Sequence, residues 1–295
     1  MRTCRRRREE DGRLSSETPP ASGPRIIVVG GGIIGMAVAS TLQEWAQITL
    51  VDDAFFPGLG QTVRALGVIK RRPTQPWAAS YAGATWAFAV AQDEHPKSPV
   101  RLLRVAHNGE PGAAAFLDHM LLLDAYYFHF RRRGGAAHTQ RRVTELLVVA
   151  GRVGGVRLDD DTALEAEAVV LAPGPRPETL SLPGVGSAAR ALFTPLRDVV
   201  IPFRLPPGYR GRLAIERGVE EQGPYTIVAG LKRQRVLVAC RQQADLREPS
   251  FDEVVEMVAR MQDDLELPGE AEVDQTRTCF DLMGPGGRPL VGPAA

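Results

Sequence analysis

Lysine is nearly missing from this 295-residue chain, occurring only at Lys70, Lys97 and Lys232, and arginine carries almost all the positive charge. We read that skew as coding bias. With 36 basic against 35 acidic residues the formal net charge is +1, so no global field draws the protein to nucleic acid or to anionic lipid, and neither is expected as a partner. Cysteine is scarce too. Cys4, Cys240 and Cys279 are far apart, odd in number and without a CxxC pair, which argues against structural zinc and a disulfide framework and for a reducing compartment. The five histidines, His95, His107, His119, His129 and His138, lack metal-ligand spacing, so no metal is expected and none of them receives a role. No apolar run approaches the ~20 residues that a membrane span needs. The N-terminus lacks the apolar core of a secretory signal, and the C-terminal VGPAA is not the peroxisomal tripeptide, so the cytoplasm is the expected location.

What is present suits a globular protein: 44% hydrophobic and 24% charged residues, in a chain long enough for one large domain or two intimate ones. The arginine run at the start is followed at once by Glu9, Glu10 and Asp11. Residues 1–24 are therefore expected to be a disordered, solvated tail rather than a transit peptide or a nucleic-acid arm.

The pattern that carries chemistry is GGGIIG at positions 30–35, within RIIVVGGGIIGMAVASTLQEWAQITLVDD. A β-type run over Arg25–Val29 precedes it. A helix is expected over 33–45, with Ile34, Ala37, Val38, Thr41 and Leu42 as its apolar stripe, and a second strand over 47–52. In such a βαβ unit Gly30 permits the tight turn, Gly32 lets a pyrophosphate approach the backbone, and Gly35 lets helix and strand pack closely. Asp52, or its neighbour Asp53, stands where a carboxylate accepts from ribose hydroxyls, which disfavours a 2′-phosphate and hence NADP. The motif by itself does not separate NAD from FAD.

Further along, 55–112 reads as irregular. A short strand is expected at 121–123, then a helix capped by Asp124 that ends at Arg131, Arg132 and Arg133 before Gly134 and Gly135. Strands are expected over Val143–Val149, Arg152–Leu158, 166–172, 223–229 and 235–239. Ser250 and Glu253 form a capping box ahead of Phe251, Val254, Val255, Val258, Met261 and Leu265 at helical spacing.

ITLVDDAFFPGLGQTVRALGVIK, LLLDAYYFHFRRRGGAAHTQRRVTEL, AEAVVLAPG and GPYTIVAGLKRQRVLVA together resemble the FAD-dependent D-amino-acid oxidase and D-aspartate oxidase family, in patches from Arg25 to the end. The resemblance implies an α/β fold: a Rossmann-like FAD-binding domain with a parallel sheet, interrupted by an inserted β-rich substrate domain. The cofactor domain is expected from 25–80, 121–186 and 266–295, and the substrate domain from 81–120 and 187–265. It implies oxidative deamination of an amino acid, most often a D-isomer, with oxygen as acceptor, and an amino acid as the small-molecule partner of a chain that could form a homodimer. FAD would contact Gly30, Gly31, Gly32, Ile33, Ile34, Gly35 and Asp52 or Asp53. Arg64, Ala65, Leu66 and Gly67 would lie beside the flavin ring, Val143 in the adenine-side strand, and Gly174 at the end of the third strand. Arg64 departs from the small residue usual there and also reads as a surface arginine, and Gly174 also reads as a plain turn glycine. Tyr225 matches the tyrosine that holds the substrate carboxylate, although a strand tyrosine is more often packing.

Two departures stand out. The family's second tyrosine is replaced by Glu221, and Thr278-Cys279-Phe280-Asp281 puts an acid where a carboxylate-pairing arginine is expected. Losing that pair would cost about 1.5–3 kcal/mol, with repulsion added, unless Arg277 or Arg288 replaces it. The resemblance also implies a glycine/histidine-rich loop and a closing helix beyond GGRPLVGP, so the chain is expected to be C-terminally truncated relative to the family. Two other readings remain open: a sarcosine- or glycine-oxidase-like enzyme, with FAD held covalently by Cys279, and a degenerate FAD-binding protein without turnover.

Overall fold

The computed structural model describes residues 23–71, 79–95, 98, 100–175, 194–207, 218–222, 224–229, 235–243, 246–269 and 271–284. The N-terminal tail expectation, Cys4 and Arg288 lie outside them.

The chain opens with β1 (Arg25–Val29), α1 (Ile33–Leu42) and β2 (Gln47–Val51), in the expected βαβ order. A 3-10 turn (Thr62–Arg64) and β3 (Val68–Lys70) follow, then α2 (Ala79–Glu94), β4 (Leu102–His107), β5 (Glu110–Leu117), α3 (His119–Arg132) and β6 (Ala136–His138). The strands β7 (Val143–Val149), β8 (Arg152–Leu158), β9 (Ala163–Glu165) and β10 (Ala168–Leu171) come next. The chain continues with β11 (Thr194–Arg204), β12 (Gly218–Gln222), β13 (Tyr225–Ala229), β14 (Arg235–Gln243), α4 (Phe251–Asp264), β15 (Glu272–Val273) and β16 (Arg277–Met283).

Three sheets result. A four-stranded sheet runs β10-β1-β2-β6, with all three pairings parallel. Its β1 and β2 are apolar on both faces because both are covered, as parallel strands require. Helices α1 and α3 pack on one face around Met36, Ala39, Leu50, Leu123 and Phe130. The antiparallel sheet β7-β8-β9 closes the other, burying Ile27, Val29 and Val51 against Val143, Val156 and Leu158. A larger mixed sheet, ordered β15-β11-β14-β13-β12-β4-β5-β3 with β16 also on β11, carries α4 on one face. The mixed α/β class agrees with the sequence reading. Three segments fall differently: β3, β15 and β16, expected in the cofactor unit, hydrogen-bond within the mixed sheet.

Helix α4 begins as expected. Ser250 Oγ accepts from Glu253 N–H at 3.2 Å, and Glu253 Oε2 accepts from Ser250 N–H at 2.7 Å. Its buried face is Met257, Met261 and Leu265, while Phe251 and Val255 stay exposed.

The expected strand at 121–123 does not form. Asp118 caps the helix instead of Asp124: its Oδ1 accepts from Met120 N–H at 3.0 Å and Leu121 N–H at 3.1 Å, a cap worth about 1 kcal/mol. Once started there, the helix turns Leu122 and Leu123 inward. The stretch 55–112 is also far from irregular, since it holds α2 and most of the β4–β5 hairpin. The turn of that hairpin is Asn108-Gly109, both at positive φ (48° and 80°), which is the geometry that an Asn-Gly hairpin turn adopts.

The apolar stripe expected on α1 is corrected as well. The inward residues are Gly35, Met36, Ala39 and Ser40, and Ile34 is 71% exposed. Gly35 sets this rotation. A Cβ there would collide with the Gly30 carbonyl oxygen, so residue 35 must face β1 and residue 34, one step round the helix, faces out.

Candidate functional site

The glycine motif folds as its spacing demands. Gly30 leaves β1 at φ +102°, and an added Cβ would clash with the Ala172 carbonyl just beyond β10. Its N–H donates to the Val51 carbonyl at 2.8 Å, drawing the ends of β1 and β2 together. Gly31 N–H donates to Asp52 Oδ2 at 2.5 Å, while Asp52 Oδ1 accepts from Ala54 N–H at 2.9 Å. Asp52 thus lies against the glycine loop, and each of its oxygens retains a lone pair for a ribose hydroxyl. Asp53 turns to Arg142, with Nε 4.0 Å from Oδ2.

Gly32 differs from its neighbours. It occupies the N-cap of α1 at φ −67°, where it has no side chain to cap the helix, and the first turn holds no acid. Among the described residues a Cβ there would meet only Thr62 Oγ1, at 3.4 Å, so none of them demands glycine. The open space at a helix N-terminus, with its outward N–H groups, is what a diphosphate needs. Ile33 N–H donates to Thr62 Oγ1 at 3.0 Å, and Ile34 stands beside it, open to solvent.

Thr62, which sequence reasoning passed over, therefore roofs this cradle. No spacing rule singles it out; only the fold of the loop brings it there. The same turn reaches across to the mixed sheet. Gln61 Oε1 accepts from Phe280 N–H at 2.8 Å, and Cys279 Sγ lies 4.0 Å from the Gln61 carbonyl. Arg64 donates to Glu248 Oε1 at 2.5 Å and to the Thr278 carbonyl at 3.2 Å, so it fastens the turn to β16 and to the segment before α4. Ala65 caps the 3-10 turn, Leu66 packs near Val105 and Phe116, and Gly67 sits at φ +67° where a Cβ would press on the Leu117 carbonyl and His119 Nδ1.

Strand register defines what faces this turn. Asp198, Arg241 and Cys279 are directly paired neighbours across β11, β14 and β16, and alternation puts Arg277, Asp281, Val200, Ala239 and Thr226 on the same face. Arg241 donates to both carboxylate oxygens of Asp198, at 2.8 and 2.7 Å, and lies 3.9 Å from Asp281. Burial first, then the Asp198 and Asp281 carboxylates, push the Cys279 thiol up to about 11.

Tyr225 is on the opposite face. It is 5% exposed, packs beneath α4 with Ile227, Val238 and Met261, and donates its hydroxyl to Asp264 Oδ2 at 2.5 Å. Burial, followed by Asp264, pushes the phenol up to about 12. The structure does not bring Tyr225 to the turn and glycine loop, because strand alternation points residue 226 there instead. Tyr225→Phe is therefore expected to lower the Tm by a few degrees, through loss of a hydrogen bond worth about 1 kcal/mol, and to leave KM for any amine unchanged. Thermal unfolding and steady-state kinetics on the same preparation check both halves.

Two further expectations meet the structure differently. Val143 is buried between the parallel sheet and β8, where its side chain serves packing. Gly174 has φ +71°, which favours glycine, and among the described residues no atom lies within 4 Å of an added Cβ. The close approach at this sheet end is made by Ala172 against Gly30. Among the described residues no group of three or more His, Cys, Asp or Glu could hold a metal, and no helix is long and apolar enough to cross a membrane.

A parallel βαβ unit with glycine at the helix N-cap and an acid just after the second strand defines a dinucleotide-binding protein. The sequence matches the FAD dependent oxidoreductase family (DAO) over residues 25–114 and 105–295, and the chain belongs to that family; its cofactor is FAD. Comparison with curated proteins yields no match. Among solved structures, the fold is similar to glycine oxidase from Bacillus cereus ATCC 14579 (TM-score 0.68, 13% identity, 92% of this chain and 86% of that one). It is also similar to iminodiacetate oxidase (IdaA) from Chelativorans sp. BNC1 (0.62, 17%, 91% and 86%) and to L-proline dehydrogenase from P. horikoshii (0.62, 13%, 92% and 84%). The residues present fit FAD. The space at Gly32, the α1 N–H groups and the Asp52 carboxylate suit its diphosphate and ribose, and the turn at 61–67 links that cradle to the polar sheet face.

Proposed function

We propose that the protein oxidises a small amino acid at its Cα–N bond, a D-isomer foremost, and passes the electrons to oxygen to give peroxide, while water hydrolyses the resulting imino acid to a keto acid and ammonia. The observation that carries this reading is the meeting of the dinucleotide cradle with the charged sheet face at Gln61 and Cys279. Bound FAD supplies the acceptor for the hydride leaving the α-carbon. Gly32, the first N–H groups of α1, Thr62 and Asp52 would hold it, and Arg64, Ala65, Leu66 and Gly67 would shape the ring's border. The face bearing Arg277, Arg241 and Asp281 would orient the substrate, so that positioning supplies most of the rate enhancement. In this reading the parallel sheet is the cofactor unit and the mixed sheet the substrate unit, in a cytoplasmic protein free to pair as a homodimer. The D-isomer rests on the resemblance of the loop and strand segments to D-amino-acid oxidases.

Glycine oxidase and iminodiacetate oxidase among the similar structures support a second reading, a glycine- or sarcosine-type amine. Covalent attachment through Cys279 would need its thiolate, which burial and the Asp198 and Asp281 carboxylates disfavour.

Anaerobic mixing of the yellow holoprotein with D-amino acids, D-aspartate, glycine and sarcosine tests the proposal. Bleaching by a neutral D-amino acid, with peroxide on admitting air, is expected. Bleaching by glycine or sarcosine alone supports the second reading, and tightly held flavin that no amine reduces would mean a binding protein without turnover.

A further inference from the structure

His119 has no part in the function derived so far, yet three elements converge on it. It is the first residue of α3, directly after the capping Asp118. Its ring lies behind Gly67, so close that a Cβ on that glycine would come within 2.8 Å of Nδ1. Both ring nitrogens are shut off from solvent, and among the described residues neither meets a partner in full hydrogen-bond geometry. The carbonyls of Val63, in the 3-10 turn, and Leu117, at the end of β5, face the ring. Its charged neighbours are Asp118 on its own element and Arg277 on β16. The turn's own arginine, Arg64, is directed to Glu248 and the Thr278 carbonyl.

We propose that His119 is a positioning residue for FAD. The neutral imidazole fills the space behind Gly67 and so holds the turn that carries Thr62 over the N-terminus of α1, and a proton on the ring loosens that turn and weakens cofactor binding.

The cost of the proton follows from the surroundings. A charged imidazolium would lose solvent and stand against the Arg277 guanidinium, and only Asp118 and the two carbonyls favour it. Burial, the largest influence, sets the His119 pKa below its ordinary 6.5. A histidine with a lowered folded-state value binds protons more readily once the packing opens. Its stabilisation of the closed turn is therefore complete above pH 6.5 and is lost as the pH falls below it. The inference needs FAD at the glycine loop and is independent of which amine is oxidised.

The test is the dissociation constant of FAD, read from the fluorescence of released flavin in titrations of apoprotein at pH 7.5 and 5.5. In the wild type the constant is expected to rise roughly fivefold at the lower pH, and His119→Gln, which keeps the bulk and cannot titrate there, should bind equally at both. Arg277→Gln, a half-buried position whose loss does not threaten the core, should reduce the pH effect by removing the opposing cation. A wild-type constant that does not change with pH overturns the proposal. So does a His119→Gln protein with the full wild-type dependence or, should that variant not fold, an Arg277→Gln protein with it.

Discussion

Gly32→Val is expected to abolish the retention of FAD while the apoprotein keeps its fold. The two effects separate because of what surrounds the position. At φ −67° and ψ 177° valine is an allowed residue, and among the described residues its Cβ meets nothing closer than Thr62 Oγ1 at 3.4 Å. Valine is a poorer N-cap than glycine by about 1 kcal/mol, and the stiffer unfolded chain offsets part of that. The apoprotein Tm should therefore stay within a few degrees of wild type. A diphosphate, by contrast, needs the volume that the valine methyl groups would occupy. Held away from the α1 N–H groups it loses charge-assisted hydrogen bonds of about 1.5–3 kcal/mol each. Two such losses raise the FAD dissociation constant by at least about 100-fold. Gly30→Ala is the contrasting variant, since φ +102° and the Ala172 carbonyl penalise it with or without cofactor. Flavin retention after gel filtration and calorimetry of both apoproteins separate the cases. Wild-type flavin content in Gly32→Val would mean that the diphosphate lies elsewhere.

That contrast also shows what the sequence could convey. The βαβ unit was legible because three glycines at fixed spacing have separate geometric duties, and those duties reappear at Gly30, Gly32 and Gly35. The capping box of α4 was legible for a similar reason, being local and reciprocal. The rotation of α1 was misjudged from hydrophobicity, although Gly35 held the answer: a residue chosen for close approach must face the strand, whatever the apolar count of the other faces. Asp124 was expected as the cap, but the packing of Leu123 and Phe130 against the parallel sheet, and of Leu122 against Val100 and Leu117, goes with a start at Asp118. The β4–β5 turn was within reach from Asn108-Gly109.

The substrate side was far less legible, because it depends on alternation and on long-range register. Tyr225 and Thr226 are adjacent, and nothing local says which faces the cofactor turn. The pairing of Tyr225 with Cys240, and of Cys240 with Val199, places that row under α4. Likewise Arg241 and Asp198 lie 43 residues apart, and their two-point contact exists only because β14 and β11 are in register there. Thr62 and His119 were missed for the same reason. Each draws its role from a neighbour brought in by folding, Ile33 for the first and Gly67 for the second.

The charge of that face leads to the other large effect. Of the two guanidiniums on this face, Arg241 is already committed to both carboxylate oxygens of Asp198, 3.9 Å from Asp281, and Arg277 stands four residues away from Asp281 along β16. A substrate carboxylate arriving beside Asp281 at about 4 Å would be repelled by roughly 1–4 kcal/mol between the water and protein-surface limits. Asp281 lies toward the end of β16 and its side chain is 54% exposed, so it can be replaced without opening the core. Asp281→Asn is expected to remove the repulsion, lowering KM for a neutral D-amino acid and leaving a carboxylate-free amine of similar size unaffected. Asp281→Arg should go further, because a guanidinium there can pair with the carboxylate at two points. That pair is worth about 1.5–3 kcal/mol, or about 10- to 100-fold in kcat/KM. The ratio of the two substrates' kcat/KM, measured for all three proteins, is the deciding quantity. A stepwise rise from Asp to Asn to Arg would place the carboxylate at this strand. An equal rise in both variants would mean that only repulsion was relieved and that Arg277 already provides the counter-charge. If the ratio stays level throughout, the reacting amine lies away from β16, and Asp281 serves only the ion cluster around Arg241.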